Sequence, residues 1–213
     1  MRKVDGPIAS FIFEDHNHFG QSEVISEPDE LSEHHKLLVL HGGEDISPSI
    51  YKEVKGPAQS NNVPSYRDLL ELAVIDRAIH LGVPILAICR GAQLACAKFG
   101  GKLYQDAPCH ESGDHPLIID NDNENFETLT NSCHHQMMIP DSSAKILAHA
   151  GLYEGRRWKT DRWVKEDIKE PEVVFWKDQQ VLGVQGHPEW HHTPGGLAIY
   201  KYTMKLLYRY FGV

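Results

Sequence analysis

The 213-residue sequence contains no run approaching the roughly 18 consecutive apolar residues that a membrane helix needs. Its opening residues carry an acid at Asp5 and no small-residue cleavage site behind a long apolar stretch, so no secretory leader is read there and a soluble, cytoplasmic protein is expected. Cysteine is scarce. Cys89, Cys96, Cys109 and Cys133 form no C-x-x-C pair and no framework of short loops, which excludes a disulfide scaffold and favours reduced thiols. Positive charge is also short, with 21 Lys and Arg against 30 Asp and Glu and a net charge of −9. An acidic surface of this kind argues against nucleic acid as a partner. There is no internal repeat and no low-complexity tract.

What is present is an ordinary globular composition, 41% apolar and 24% charged, together with an unusual 14 histidines. A chain of this length buries roughly 70% of its unfolded surface, so a single domain over residues 1–213 with a real core is expected. Strand-like runs recur at 8–13, 36–40, 83–88, 116–119, 145–148, 173–176 and 181–185. Those at 36–40 and 83–88 are nearly all apolar, as in strands covered on both faces of a mostly parallel sheet. Between them, apolar spacing over 67–81 closed by Gly82 before Pro84 predicts a helix, and so a β-α-β unit. A second helix is expected from Cys89 to Gly100-Gly101 and a third over 196–210. The later runs, at 145–148, 173–176 and 181–185, read as antiparallel additions, with 177–180 as a hairpin turn. Residues 121–131 read as a loop or short helix and 151–171 as irregular. The sum is an α/β three-layer sandwich.

Chemistry concentrates at strand ends. Ile85 to Ile88 runs straight into Cys89, and Gly91 permits a tight turn into a helix. This is a nucleophile-elbow arrangement, in which a helix N-terminus favours a thiolate. A cysteine nucleophile needs a base, and the base an orienting group. His187 follows another strand, and Glu189 lies two residues on, across Pro188. Gly42-Gly43 ends a third strand. Its glycines let the backbone approach a bound group, so that an N–H there and that of Arg90 would form an oxyanion hole.

In order and spacing, these pieces resemble the class I glutamine amidotransferase-like superfamily, and within it the gamma-glutamyl hydrolase branch that includes the gamma-glutamyl-gamma-aminobutyrate hydrolases. The residues that carry the resemblance are 42–51, Arg67-Asp68 with Glu71, 88–93, 101–106, 131–136 and 183–189, and it covers about residues 24–208. It implies the flavodoxin-like fold of that superfamily and a Cys89-His187-Glu189 triad cleaving a gamma-glutamyl amide through a thioester. Gly43 and Arg90 would donate to the oxyanion, while Gln93, His135 and Gln136 would line the substrate pocket. No metal and no cofactor are implied. Three departures stand out: little more than residues 15–21 separates the first strand from Val24, Gly186 stands where many relatives carry a bulky aromatic, and Ala87 where many carry glycine.

The paired histidines (His16-x-His18, His34-His35, His134-His135, His191-His192) invite a metal reading. The best spaced, His187-x-x-x-His191, contains a turn-forming proline and lacks the glutamate of H-E-x-x-H. Cys96 reads as core. The basic stretch over residues 156–169, with Trp158 and Trp163, is interleaved with acids and reads first as a solvated hairpin, then as a lid or partner surface. Two functions are consistent with all of this: a stand-alone gamma-glutamyl amide hydrolase acting on glutamine or another small gamma-glutamyl substrate, and a glutaminase subunit passing ammonia to a separate synthase partner chain. A retired scaffold used only for binding would not need an intact Cys89, His187 and Glu189.

Overall fold

The computed structural model describes residues 3–11, 18–120, 126–151, 155–166 and 168–213. Its main sheet begins with a parallel group of short strands. These are β1 (Ile8–Phe11), β2 (Ser22–Ile25), β3 (Leu37–Leu40) and β4 (Ile85–Ile88). All four residues of β3 and all four of β4 are buried, because the sheet is covered on both faces. Side chains alternate across a strand. Accordingly Leu38, Leu40, Ile85 and Ala87 join one core and Leu37, Val39, Leu86 and Ile88 the other.

The first core is closed by α1 (Tyr66–Leu81) and α2 (Arg90–Lys98), through Val74, Ile75 and Ala78 of the former and Ala92, Ala95 and Cys96 of the latter. Helix α1 starts at a capping box in which Ser65 and Asp68 satisfy each other's backbone N–H, and it stops at Gly82 in the left-handed region (φ 67°). On the opposite face α3 (Pro194–Phe211) lays down Ile199, Met204, Leu206 and Leu207. Its N-cap, Thr193, accepts the Gly196 N–H at 2.9 Å.

Between α2 and α3 the chain supplies β5 (Lys102–Tyr104), β6 (Gly113–Ile119), β7 (Phe126–Ser132), β8 (Met137–Ile139), β9 (Lys145–Ala150), β10 (Arg157–Lys159), β11 (Arg162–Val164), β12 (Glu170–Trp176) and β13 (Val181–Val184). Among the described residues the main sheet has nine strands, in the order β2-β1-β3-β4-β13-β12-β9-β6-β7. The first five run parallel, and β12, β9, β6 and β7 extend the sheet antiparallel. This is the α/β three-layer sandwich expected from the sequence.

Three expectations are corrected. The run at 181–185, expected to be an antiparallel addition, is parallel to β4; only its hairpin partner β12 reverses direction, through the expected turn at 177–180. Part of the expected loop at 121–131 is the edge strand β7. It carries no apolar run because most of it pairs on one side only and its first half is exposed. The segment 151–171 holds the β10–β11 hairpin and the start of β12. Residues 12–17, most of the interval between the first strand and Val24, lie outside the described residues, as do 121–125.

Candidate active site

The three carboxyl ends of β3, β4 and β13 converge. Cys89, directly after β4, takes φ 48° and ψ −107°, a backbone state that costs a non-glycine residue of order 1–3 kcal/mol. Its N–H is tied to the Val184 carbonyl at 2.7 Å, and its carbonyl accepts the Gln93 N–H at 3.0 Å as α2 begins. The sheet on one side and the helix on the other therefore dictate the strained turn, which presents the sulfur at the N-terminus of α2. Gly91 is required one step further on, because a Cβ there would lie 2.9 Å from Leu40 Cβ.

His187 stands beside the sulfur. Its Nδ1 hydrogen-bonds Glu189 Oε1 at 2.8 Å. Burial works against the imidazolium, yet the bonds and charges of Cys89 and Glu189 outweigh it and hold His187 up at about 10. Burial would likewise raise Glu189, but the hydrogen bond and charge of His187 keep it below the usual carboxylate range. The three predicted triad residues are thus brought together and buried. The arrangement can take a proton from a thiol, store it on an imidazole and return it to a leaving group.

Several neighbours complete the site. Asn131, at the end of β7, accepts the His187 N–H through Oδ1 and donates Nδ2–H to the His187 carbonyl, both at 2.8 Å. Trp190 stacks flat on the His187 ring, centroids 4.1 Å apart. Gln185 points Nε2 at Cys89 Sγ, 3.8 Å away. Gly42 makes the close backbone approach, since a Cβ there would lie 2.8 Å from the His187 ring and 3.5 Å from Cys89 Cβ. Gly43 follows with φ 155°. Arg67 fixes this loop by donating to the Gly42 carbonyl and to Glu44, each at 2.9 Å. The Arg90 side chain points away from the sulfur into a buried pair of carboxylates, Asp68 and Glu71.

The expected pocket residues divide. Gln93 Nε2 donates to the Gln136 carbonyl at 3.1 Å, and the buried amide of Gln136 has no partner among the described residues, leaving it available to a ligand. His135 turns to Asp45 at 3.0 Å, a bond that lifts its pKa above the ordinary imidazole value. Burial pushes the Cys96 thiol up to about 12, as suits a core residue. The basic stretch is a hairpin whose Trp158 and Trp163 meet edge to face across β10 and β11, and whose Arg157 and Lys159 pair with Glu170 and Glu166.

The chain matches the Peptidase C26 family over residues 25–189. It is similar to protein NtpR of Enterococcus hirae, 32% identical over 73% of this chain and 67% of that one. It is also similar to the glutamine amidotransferase-like protein YvdE of Lactococcus lactis, 33% identical over 71% of this chain and 65% of that one. The matched regions therefore span about two thirds of either relative. Among solved structures, a glutamine amidotransferase from Thermotoga maritima superposes with a TM-score of 0.55 at 15% identity, over 94% of this chain and 84% of that one.

Proposed function

The chain belongs to the Peptidase C26 family, and from that premise we propose that it hydrolyses the gamma-glutamyl amide bond of glutamine or of a small gamma-glutamyl amine. The observation that carries this reading is His187 placed between Cys89 and Glu189 at the end of a buried strand, with the cysteine backbone forced to φ 48°. With the thiol proton already held on His187, Cys89 Sγ attacks the amide carbonyl, and the oxyanion that forms meets the N–H groups of Gly43 and Arg90. His187 protonates the departing nitrogen, the C–N bond breaks, and a gamma-glutamyl thioester remains on Cys89. A water molecule, deprotonated by the same imidazole, attacks the thioester and releases glutamate. Gln93, His135 and Gln136 are the proposed contacts for the glutamyl moiety, and the whole chain is proposed to work as one catalytic domain in the cytoplasm, without a cofactor.

A second reading, a glutaminase subunit feeding a separate synthase, is favoured by Trp190. This indole is 40% exposed while stacked on His187, so a partner covering it would act directly on the triad. One experiment addresses both readings. Purified chain is incubated with glutamine and a panel of gamma-glutamyl amines, and released glutamate and the mass of intact protein are measured, with Cys89→Ala as control. Turnover by the isolated chain and a thioester adduct absent from the variant are expected. Folded protein that releases no glutamate and gains no adduct on Cys89 would overturn the hydrolase reading. An adduct that forms but turns over only with a synthase added would select the second.

A further inference from the structure

Away from the triad, at the junction of β6, β7 and β12, three histidine rings surround one buried carboxylate. Glu172 is fully buried, and neither of its oxygens has a hydrogen-bond partner among the described residues. Facing its Oε1 are His110 Nδ1 at 3.6 Å, His115 Nε2 at 3.7 Å and His134 Nε2 at 3.7 Å. None of these three nitrogens has a hydrogen-bond partner among the described residues either. Five buried polar atoms without partners in one place would each cost about 1–3 kcal/mol, so the cluster is expensive unless something joins them.

The opposite edges of the rings show what that is. His110 Nε2 meets Glu170 Oε2 at 3.0 Å, His115 Nδ1 meets the Pro116 carbonyl at 3.0 Å, and His134 Nδ1 meets the Gln136 carbonyl at 2.8 Å. Carbonyl and carboxylate oxygens only accept, so the outer nitrogen of every ring is its N–H donor. In neutral rings the inner nitrogens then carry lone pairs, three of them turned toward an anionic carboxylate. That arrangement is repulsive until a cation lies between. Protons on the rings would draw the nitrogens to about 2.7–2.9 Å from the carboxylate, and the observed separations are much longer. They lie closer to the edge of a tetrahedron around a metal ion, about 3.3 Å for metal–ligand bonds of about 2.0–2.1 Å.

We propose that His110, His115 and Glu172 form a buried site for one divalent transition-metal ion, with zinc the ion that two imidazoles and a carboxylate suit, and with His134 standing beside it. The ligand atoms of these three lie within 4.8 Å of one another, and His134, which faces the same carboxylate oxygen at 3.7 Å, stands next to the fourth tetrahedral position. Each histidine is steadied from behind by a carboxylate or a carbonyl, the outer-shell arrangement that fixes metal-ligating rings. The ion would tie the loop before β6 and β6 itself to β12. It would also brace the catalytic cysteine from behind, because the Glu172 carbonyl accepts the Gln185 N–H at 2.8 Å and the Gln185 amide faces Cys89 Sγ. A second grouping, Glu23, His34 and His35, offers two solvent-exposed ligands and serves as a control.

The test uses the chain without a polyhistidine tag. Elemental analysis of purified protein is expected to give about one zinc per chain. Chelator-stripped protein should regain stability on adding Zn2+, and with Co2+ it should show the visible absorption of a tetrahedral complex. His115→Ala removes the least buried ligand and should lower zinc occupancy at fixed free zinc at least about tenfold, whereas His34→Ala should retain the metal. If Glu172→Gln fails to fold, the cobalt spectrum of the wild type and the occupancy of His115→Ala decide. Stripped, folded wild type that binds neither ion stoichiometrically, or zinc content lost in His34→Ala and kept in His115→Ala, would overturn the proposal.

Discussion

Asn131 holds the backbone of His187 from both ends, with its side-chain oxygen on the N–H and its side-chain nitrogen on the carbonyl, each 2.8 Å away. The edge strand β7 thereby aims a residue that the sequence places 56 positions later. Asn131→Ala removes both bonds and frees the His187 backbone, and a misplacement of about 1 Å at such a site can cost on the order of 100-fold in rate. The expected outcome is a kcat reduced by that order with KM little changed, because Asn131 orients the base and touches no predicted substrate group. A matching rise in KM with kcat preserved would contradict this. Asn131→Asp keeps the acceptor and loses the donor, and should fall between wild type and Asn131→Ala.

The strained turn at Cys89 links stability to chemistry. At φ 48° the residue stands where glycine is at ease and any side chain is not. Cys89→Ala should abolish glutamate release while keeping the strain. Cys89→Gly should be equally inactive, yet more stable than Cys89→Ala by about 1–2 kcal/mol as the backbone relaxes. Urea unfolding of the two inactive variants measures this. If Cys89→Ala proves the more stable, the turn stores no strain.

Linkage predicts a pH window for the His187–Glu189 pair. His187 is raised from 6.5 to about 10, so its contribution to stability is complete below pH 6.5 and drains away as pH climbs towards 10. Glu189 is lowered from 4.5, so its contribution is complete above about pH 4.5 and is lost in acid. The stability advantage of wild type over His187→Gln should therefore peak between about pH 4.5 and 6.5 and shrink steadily to pH 10. Urea midpoints across that range give the curve. An advantage that grows between pH 7 and 10 would mean that the imidazole is neutral in the folded protein.

The centre of the molecule was legible in the sequence because two signals coincide there. Leu37 to Leu40 and Ile85 to Ile88 are buried on both faces, so their composition alone marks them, and Cys89, His187 and Glu189 sit at strand ends that such runs locate. The outer half was not legible. Strand β7 is polar because it is an edge, and Asn131 works by a bond to a distant backbone, which leaves no periodic trace. Gly186 reads in the sequence as a missing aromatic. The structure shows that a Cβ there would lie 2.4 Å from Thr130 Oγ1 and 2.9 Å from the Asn131 carbonyl, so the strand that carries the Asn131 clamp occupies the space. Glu172 lies too far in sequence from His110 and His115 for any spacing rule, and only the pairing of β12 with β9 and of β9 with β6 brings it to them.

Arg90 separates anchoring from catalysis. Its buried guanidinium meets Glu71 through Nη1 and Asp68 Oδ1 through Nη2 at 2.5 Å, while Arg67 binds the same Glu71 at 2.8 Å and reaches forward to the Gly42 carbonyl. A line of charges thus runs from α1 to the loop proposed to hold the oxyanion. Arg90→Met strands two buried carboxylates, and breaking a buried pair in this way costs about 3–5 kcal/mol. Adding Asp68→Asn and Glu71→Gln removes the stranded charges and should restore a large part of that loss. Arg67→Ala leaves Glu71 paired with Arg90, so its cost should stay near about 1–3 kcal/mol. It does, however, release the Gly42-Gly43 loop, and kcat should fall by up to the roughly 100–1,000-fold associated with losing an oxyanion donor. Urea unfolding and steady-state kinetics on the same four proteins compare the two effects directly. Should Arg67→Ala lose stability as Arg90→Met does while its kcat is unchanged, the loop is not positioned by Arg67 and the oxyanion assignment to Gly43 loses its structural support.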